Sequence, residues 1–232
     1  MKKQIPNFLT LLNLASGFIA IIMIMKGHLL LSVWFIAASL LFDFCDGLAA
    51  RLLNAYSEIG LQLDSLADMV SFGVAPGLLM YRLILSADGA DNIAEYLQYI
   101  PVLIPVFSGL RLAKFNIDKA QSDHFRGLPT PGTAFFIISL VFAGEYGNSQ
   151  LIEGLLDSRF VLSFLTLLFA VLMVTDIPMF SFKFRHFRFK GNELRIVFLG
   201  SAILLVAGAG LASLPLLIIL YIFVSIIWAV IT

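Results

Sequence analysis

Four aspartates hold the chemistry in this sequence. Asp43 and Asp46, then Asp64 and Asp68, sit in the stretch DFCDGLAARLLNAYSEIGLQLDSLAD, inside two segments otherwise apolar enough to cross a bilayer. On insertion scales an acid centred in a spanning helix costs about 2.5–3.5 kcal/mol, so four left unpaired cost roughly 10–14 kcal/mol. Something must compensate them. Asp43 and Asp46 are one helical turn apart, as are Asp64 and Asp68, so each pair lies on one helix face. Gly47 and Ala50 continue the first face as small residues, and Gly60 precedes the second pair in the same way. With Arg51 at the water surface, a rise of about 1.5 Å per residue puts Asp46 about 7 Å and Asp43 about 12 Å deep, while Asp64 lies about 10 Å from Ser57. Two antiparallel helices then present their acids at matching depth. All-oxygen clusters of this kind suit hard divalent cations, and the small residues leave room for a substrate. A water-filled vestibule, or pairing with stray cations, leaves the paired spacing unexplained.

The spelling carries a resemblance. Asp43-x-x-Asp46-Gly47-x-x-Ala50-Arg51, eight intervening residues, then Gly60-x-x-x-Asp64-x-x-x-Asp68 resembles the signature of the CDP-alcohol phosphatidyltransferases at every fixed position. The resemblance implies that Asp43, Asp46 and Asp64 are metal ligands, and that Asp68 both touches a second metal and serves as base. It implies that Gly47, Arg51 and Ser57 contact the CDP-lipid. The cofactor is then a divalent metal, two ions of Mg²⁺ or Mn²⁺, with Ca²⁺ as a further hard choice. The family reaction joins an alcohol to the phosphatidyl group of a CDP-linked lipid and releases CMP. Its members have a six-helix core and are usually homodimers. The flanking stretches PNFLTLLNLASGF, LDSLADMVSFGVAPG, LRLAKFN and FRGLPTP resemble the bacterial and archaeal branch that uses CDP-diacylglycerol and L-serine.

These residues must be held by membrane helices. Of 232 residues, 60% are hydrophobic, and the mean hydropathy of +0.97 is outside the range of an ordinary soluble domain. The apolar runs are too long and too numerous for one buried core. They predict an all-α polytopic membrane helix bundle with about eight transmembrane helices. The expected spans are 6–25, 29–50, 58–84, 97–117, 131–148, 160–180, 194–210 and 213–231. Gly208, Gly210 and Pro215 make only a tight turn between the last two, so one re-entrant pair is the alternative there. Residues 1–180 would form the six-helix CDP-alcohol phosphotransferase core, and 181–232 a basic cytoplasmic loop with two added helices. In the first span Asn7, Thr10 and Asn13, spaced three apart, either face the same pocket or cap the helix. Met-Lys-Lys leads into that span without a small-residue cleavage site. The single Cys45 excludes an intramolecular disulfide.

Net charge is zero, but its distribution between loops is not even. Alternate loops collect Lys and Arg, leaving only Lys26, Arg82 and Arg159 on the other side with Asp88, Asp91, Glu95, Glu145, Glu153 and Asp157. The positive-inside rule then puts both termini and the aspartates on the cytoplasmic side of the cell membrane. Few basic residues stand clear of apolar spans, so no nucleic-acid footprint appears. The run SFKFRHFRFKGNELR at 181–195 reads as a surface for anionic lipid, worth about 1 kcal/mol per cation near the headgroups. Arg111, Lys114 and Asn116 close the fourth span and Arg126 follows in the loop. These four are candidates for holding the carboxylate of the serine acceptor, whereas Lys119 reads as a snorkelling cation. In 71–81, Gly73 and the Pro76-Gly77 pair suggest a kinked helix packed closely on a neighbour.

Two other functions fit parts of this pattern. A sibling enzyme using glycerol 3-phosphate or inositol phosphate would keep the aspartates but need more positive charge for a dianionic acceptor. A cation transporter would need acids spread across the membrane, whereas these four gather near one side.

Overall fold

The computed structural model describes residues 4–87, 96–117, 125–147, 149–179 and 193–231. Lys119, the outer-loop acids Asp88, Asp91 and Glu95, and the aromatic–basic run up to residue 192 lie outside them. The helices are α1 (Gln4–Met25), α2 (Leu29–Leu52), α3 (Glu58–Asp68), α4 (Ala75–Ser86) and α5 (Leu103–Ile117). They continue with α6 (Thr130–Tyr146), α7 (Gln150–Leu156), α8 (Arg159–Val174), α9 (Glu193–Ala209) and α10 (Leu214–Ile231). Five helical stretches are long and apolar enough to cross a membrane: Gln4–Met25, Leu29–Leu52, Glu58–Ser86, Ile100–Ile117 and Arg195–Trp228. The last contains both α9 and α10, joined by a 3₁₀ turn at Gly210–Ser213. Phe198 and Tyr221, nearly symmetric about that turn, meet edge to face at 6.1 Å, so the two helices fold back on one another. α6 and α8 are shorter rods of 17 and 16 residues.

The surface is apolar and much of the interior is polar. Phe8, Phe18, Trp34, Leu41, Phe44, Leu66 and Phe164 are exposed, while Thr10, Asn13, Ser39, Ser71, Ser108, Thr133 and Ser163 are buried. In water such a surface would aggregate; against lipid tails it is the solvent-matched face, and small polar residues join helices inside. The apolar core lies around Phe72, Leu79, Ile84 and Ile104, with Phe136 stacked on Phe169 at 3.8 Å. This is a polytopic membrane bundle.

Local signals set the first three rods. α1 ends with His28 N–H bonding to Met23 O at 2.9 Å around Gly27, the Schellman closure. α2 ends the same way: Asn54 takes φ 48°, a conformation asparagine tolerates, and Ala55 N–H reaches Ala50 O at 2.9 Å. Three residues later Ser57 caps α3 by accepting the Gly60 N–H at 3.0 Å. The turn between α2 and α3 is therefore short and closed at both helix ends, and it brings the two acidic faces together.

The third rod widens instead of breaking. Residues Met69–Val74 form a π-helical turn between α3 and α4, with Ala75 N–H bonded to Val70 O. Pro76 has no N–H to return to the carbonyl four residues back, and the wider turn absorbs the mismatch. The close packing expected for this stretch is present: a Cβ on Gly77 would lie 2.9 Å from Pro105 Cδ, which sits on α5.

Two expectations need correction. The sixth span does not run to residue 180; α8 stops at Val174, and Thr175 is already extended. Proline at 178 disfavours helical backbone at Ile177, and the chain turns instead into a two-residue antiparallel ribbon, Phe125–Arg126 against Pro178–Met179. The short helix α7, between the fifth and sixth spans, was also not foreseen. Its seven residues have no apolar face of spanning length.

Candidate active site

α2 and α3 supply the acids, and α1 holds them. One carboxylate oxygen from each of Asp43, Asp64 and Asp68 lies within 4.8 Å of the others. That span is about the width of the oxygen shell around a divalent ion, whose ligands stand about 2.0–2.6 Å from it. Asp64 Oδ1 is buried and has no hydrogen-bond partner. Three like charges at this spacing, one with an orphaned oxygen in a water-poor interior, are the donor set of a hard cation site. The residues fit a divalent metal.

Asp46 lies outside that 4.8 Å group but close enough to interact electrostatically with all three of its members. It is 7% exposed, and its Oδ2 accepts the Thr10 hydroxyl at 2.6 Å. Asp68, also 7% exposed, accepts Asn13 Nδ2–H on Oδ1 at 3.2 Å. Of the two readings open for the polar stripe of α1, the structure favours the pocket for Asn7 and Thr10, while Asn13 lies behind it on Asp68. Thr10 and Asn13 reach acids on two other helices, and Asn7 lines the cavity beside them.

That cavity, about 360 Å³, opens next to the acids. Asp46 and Asp64 form one side, with Gly47, Ala50, Arg51, Tyr56, Ser57 and Gly60 around it. The three residues expected to meet a CDP-lipid, Gly47, Arg51 and Ser57, thus line one cavity. Gly60 is small for a reason: a Cβ there would come within 2.9 Å of Ser57 Oγ and 3.0 Å of Asn7 Oδ1. Phe115, from the end of α5, closes the far side.

Phe115 also borders a second, smaller cavity lined by Arg111, Lys114, Arg126, Thr175 and Asp176. Here the positive charge comes from segments distant in sequence. Arg111 Nη2 makes a long 3.5 Å contact to Gly127 O, while its buried Nε has no partner. The guanidinium is near enough to Asp68 to interact with it electrostatically. Gly127 (φ 71°) sits where the loop after Arg126 docks on the end of α8. Its N–H bonds Ile177 O at 2.8 Å, and Leu128 N–H bonds Leu172 O at 2.9 Å. The Leu172 carbonyl is one that the last turn of α8 leaves free, and Ile177 lies just beyond the helix end. Three of the four candidates for acceptor binding, Arg111, Lys114 and Arg126, therefore meet. Asn116 does not join them: its Nδ2 donates to Ser65 Oγ at 2.9 Å, tying α5 to α3.

Sequence reasoning passed over Phe115 and Asp176. No spacing rule connects Asp176 to Arg111, and a phenylalanine in an apolar span carries no distinguishing mark.

Comparison with known proteins agrees with this geometry. The family model described as CDP-alcohol phosphatidyltransferase matches residues 3–176. A protein of Helicobacter pylori named CDP-diacylglycerol–serine O-phosphatidyltransferase is 34% identical over 196 residues, covering 84% of this chain and 79% of its own. Proteins of the same name from Methanocaldococcus jannaschii and Bacillus subtilis are also similar. The first is 36% identical over 174 residues, covering 75% of this chain and 72% of its own. The second is 38% identical over 138 residues, covering 60% and 75%.

Proposed function

The chain belongs to the CDP-alcohol phosphatidyltransferase family, and we propose that it is a membrane phosphatidyltransferase making phosphatidylserine and CMP from CDP-diacylglycerol and L-serine. The observation that carries this reading is the convergence of Asp43, Asp64 and Asp68 beside a cavity walled by Gly47, Arg51 and Ser57. The similarity to serine transferases from a bacterium and an archaeon supports the choice of acceptor.

Asp43, Asp64 and Asp68, with Asp46 beside them, would hold divalent metal, Mg²⁺ or Mn²⁺, which would supply charge neutralisation for the pyrophosphate and polarisation of the lipid-side phosphorus. Gly47 lets the nucleotide approach α2, and Arg51 pairs with phosphate oxygens. Arg111, with Lys114 and Arg126, receives the serine carboxylate, which leaves the serine hydroxyl facing Asp68. Asp68 takes the hydroxyl proton as the serine oxygen bonds to phosphorus. The bond from that phosphorus to the bridging oxygen breaks, and CMP departs with its electron pair. The acids face the cytoplasm in this reading, where CDP-lipid headgroups and serine meet, and the protein works as a homodimer.

The test is CMP release from CDP-diacylglycerol by the purified protein in nanodiscs, with L-serine, glycerol 3-phosphate, inositol phosphate or no acceptor. Release dependent on L-serine and a divalent metal supports the reading. Release with a phosphorylated acceptor instead overturns serine. Metal uptake into sealed vesicles without CMP release overturns the enzyme.

A further inference from the structure

Asn13 is fully buried in the middle of an apolar helix, where an apolar residue would carry no polar cost. One end of its amide is engaged: Nδ2 donates to Asp68 Oδ1 at 3.2 Å. The other end, Oδ1, is buried without a hydrogen-bond partner. An amide kept for packing alone would satisfy both ends or be apolar, because an unpaired carbonyl in a dry interior is unfavourable. The engaged donor end is what distinguishes this amide from an apolar residue at the same place.

The backbone around Asn13 is also pinned. Its carbonyl accepts the Ser39 hydroxyl from α2 at 3.1 Å and the Ser71 hydroxyl from the π-helical turn at 3.0 Å. Gly17, one turn further along α1, lets Ser71 come this close: a Cβ there would overlap the Ser71 side chain and lie 2.7 Å from its Cα. Two hydroxyls from two neighbouring rods thus fix the height and rotation of α1 at the residue whose side chain reaches Asp68.

We infer that Asn13 is a positioning residue, which holds one oxygen of Asp68 so that the other stays turned toward the Asp43–Asp64 oxygens and the reacting hydroxyl. Thr10 does the same service for Asp46 from the preceding turn of the helix. The inference rests on the phosphatidyltransferase reading for its kinetic part, and on the acid cluster alone for its metal part. Partners of this kind around metal-binding carboxylates typically govern affinity or activity by about 10- to 100-fold.

The experiment uses the full-length protein in nanodiscs, with Asn13→Leu, Asn13→Asp and Asn13→Gln. Mn²⁺ binding is read by electron paramagnetic resonance, and CMP release gives kcat and each KM. Asn13→Leu should lower kcat about 10- to 100-fold and weaken Mn²⁺ about 10-fold, with the KM for CDP-diacylglycerol unchanged within about twofold. Asn13→Asp keeps the shape but not the donor and should fail similarly, whereas Asn13→Gln keeps the donor and should recover part of kcat. If Asn13→Leu does not fold, the Asp and Gln pair decides. Wild-type kcat and Mn²⁺ affinity in a folded Leu or Asp variant overturn the inference, as does equal loss in Asp and Gln. A wild-type protein that binds Mn²⁺ but releases no CMP with serine refutes the proposed function instead, and the Mn²⁺ comparison still tests Asn13.

Discussion

The acidic and the cationic chambers share a wall at Phe115 but are built by different means. In the acidic chamber each carboxylate sits on a helix, at one-turn spacing, and the polar stripe of α1 reaches across to hold two of them. In the cationic chamber Arg111 comes from a helix end, Arg126 from a two-residue ribbon, and Asp176 from the loop after α8. Periodicity organises the first, and tertiary docking of loops organises the second. Charges of one sign can be clustered by a helix face, because the face repeats. A pocket for a zwitterion needs groups at unrelated heights, and loops can supply those.

The comparison implies a gradient of sensitivity. Replacing Asp43 or Asp64 with Asn removes a formal charge from a metal-assisted step worth several kcal/mol, so turnover should fall by about 1000-fold or more. EDTA should do the same to the wild type, reversibly on adding Mg²⁺ or Mn²⁺. Activity in metal-free buffer would place the two chambers on an equal, metal-free footing. Arg111→Ala is expected next. Losing a paired charge at a largely desolvated site costs about 2–4 kcal/mol, which should raise the serine requirement roughly 30- to 1000-fold. The requirement for CDP-diacylglycerol should hardly move, and a two-substrate kinetic matrix reads both. An equal rise in both would merge the chambers into one site.

Arg51→Ala should show the mirror image, with a smaller effect because Arg51 is exposed at the cavity mouth. Its charge-assisted bonds to phosphate are worth about 1.5–3 kcal/mol, so CDP-lipid binding should weaken about 10- to 150-fold while serine dependence stays put. Lysine should rescue only partly, lacking the planar fork. The smallest effect tests the loop scaffold. Gly127 has φ 71°, and a Cβ there would lie 2.6 Å from Met173 O and 2.8 Å from Thr175 O. Gly127→Ala should cost about 1–3 kcal/mol in folding stability, seen as a lower melting temperature in detergent, and should weaken serine binding more than CDP-lipid binding. Unchanged melting would mean that the cationic chamber does not depend on this docking.

Much of this was legible in the residues. An all-α polytopic bundle was expected and is present, with five stretches among the described residues long and apolar enough to span, because a bilayer permits few spanning structures and demands long apolar runs. The end of the sixth span was misread, since hydropathy does not register that Pro178 and a ribbon partner outcompete another turn of helix. The aspartates and their facing were readable because one-turn spacing on a helix survives into space unchanged. The stripe of Asn7, Thr10 and Asn13 was readable as a stripe, but the choice between pocket and cap was not: its rotation depends on Ser39 and Ser71, which sit on other rods. Asn116 was expected to add a polar contact beside Arg111, yet its amide bonds Ser65 instead.

By itself, then, the amino-acid order determined the class of fold, the family signature and the pairing of acids, all of which are local or periodic properties. Only the tertiary structure decided that Asp43, Asp64 and Asp68 converge while Asp46, beside them, is held by Thr10. It also decided that Arg111, Lys114 and Arg126 share one cavity. Those outcomes depend on helix rotation and loop docking, which are set by contacts between residues far apart along the chain.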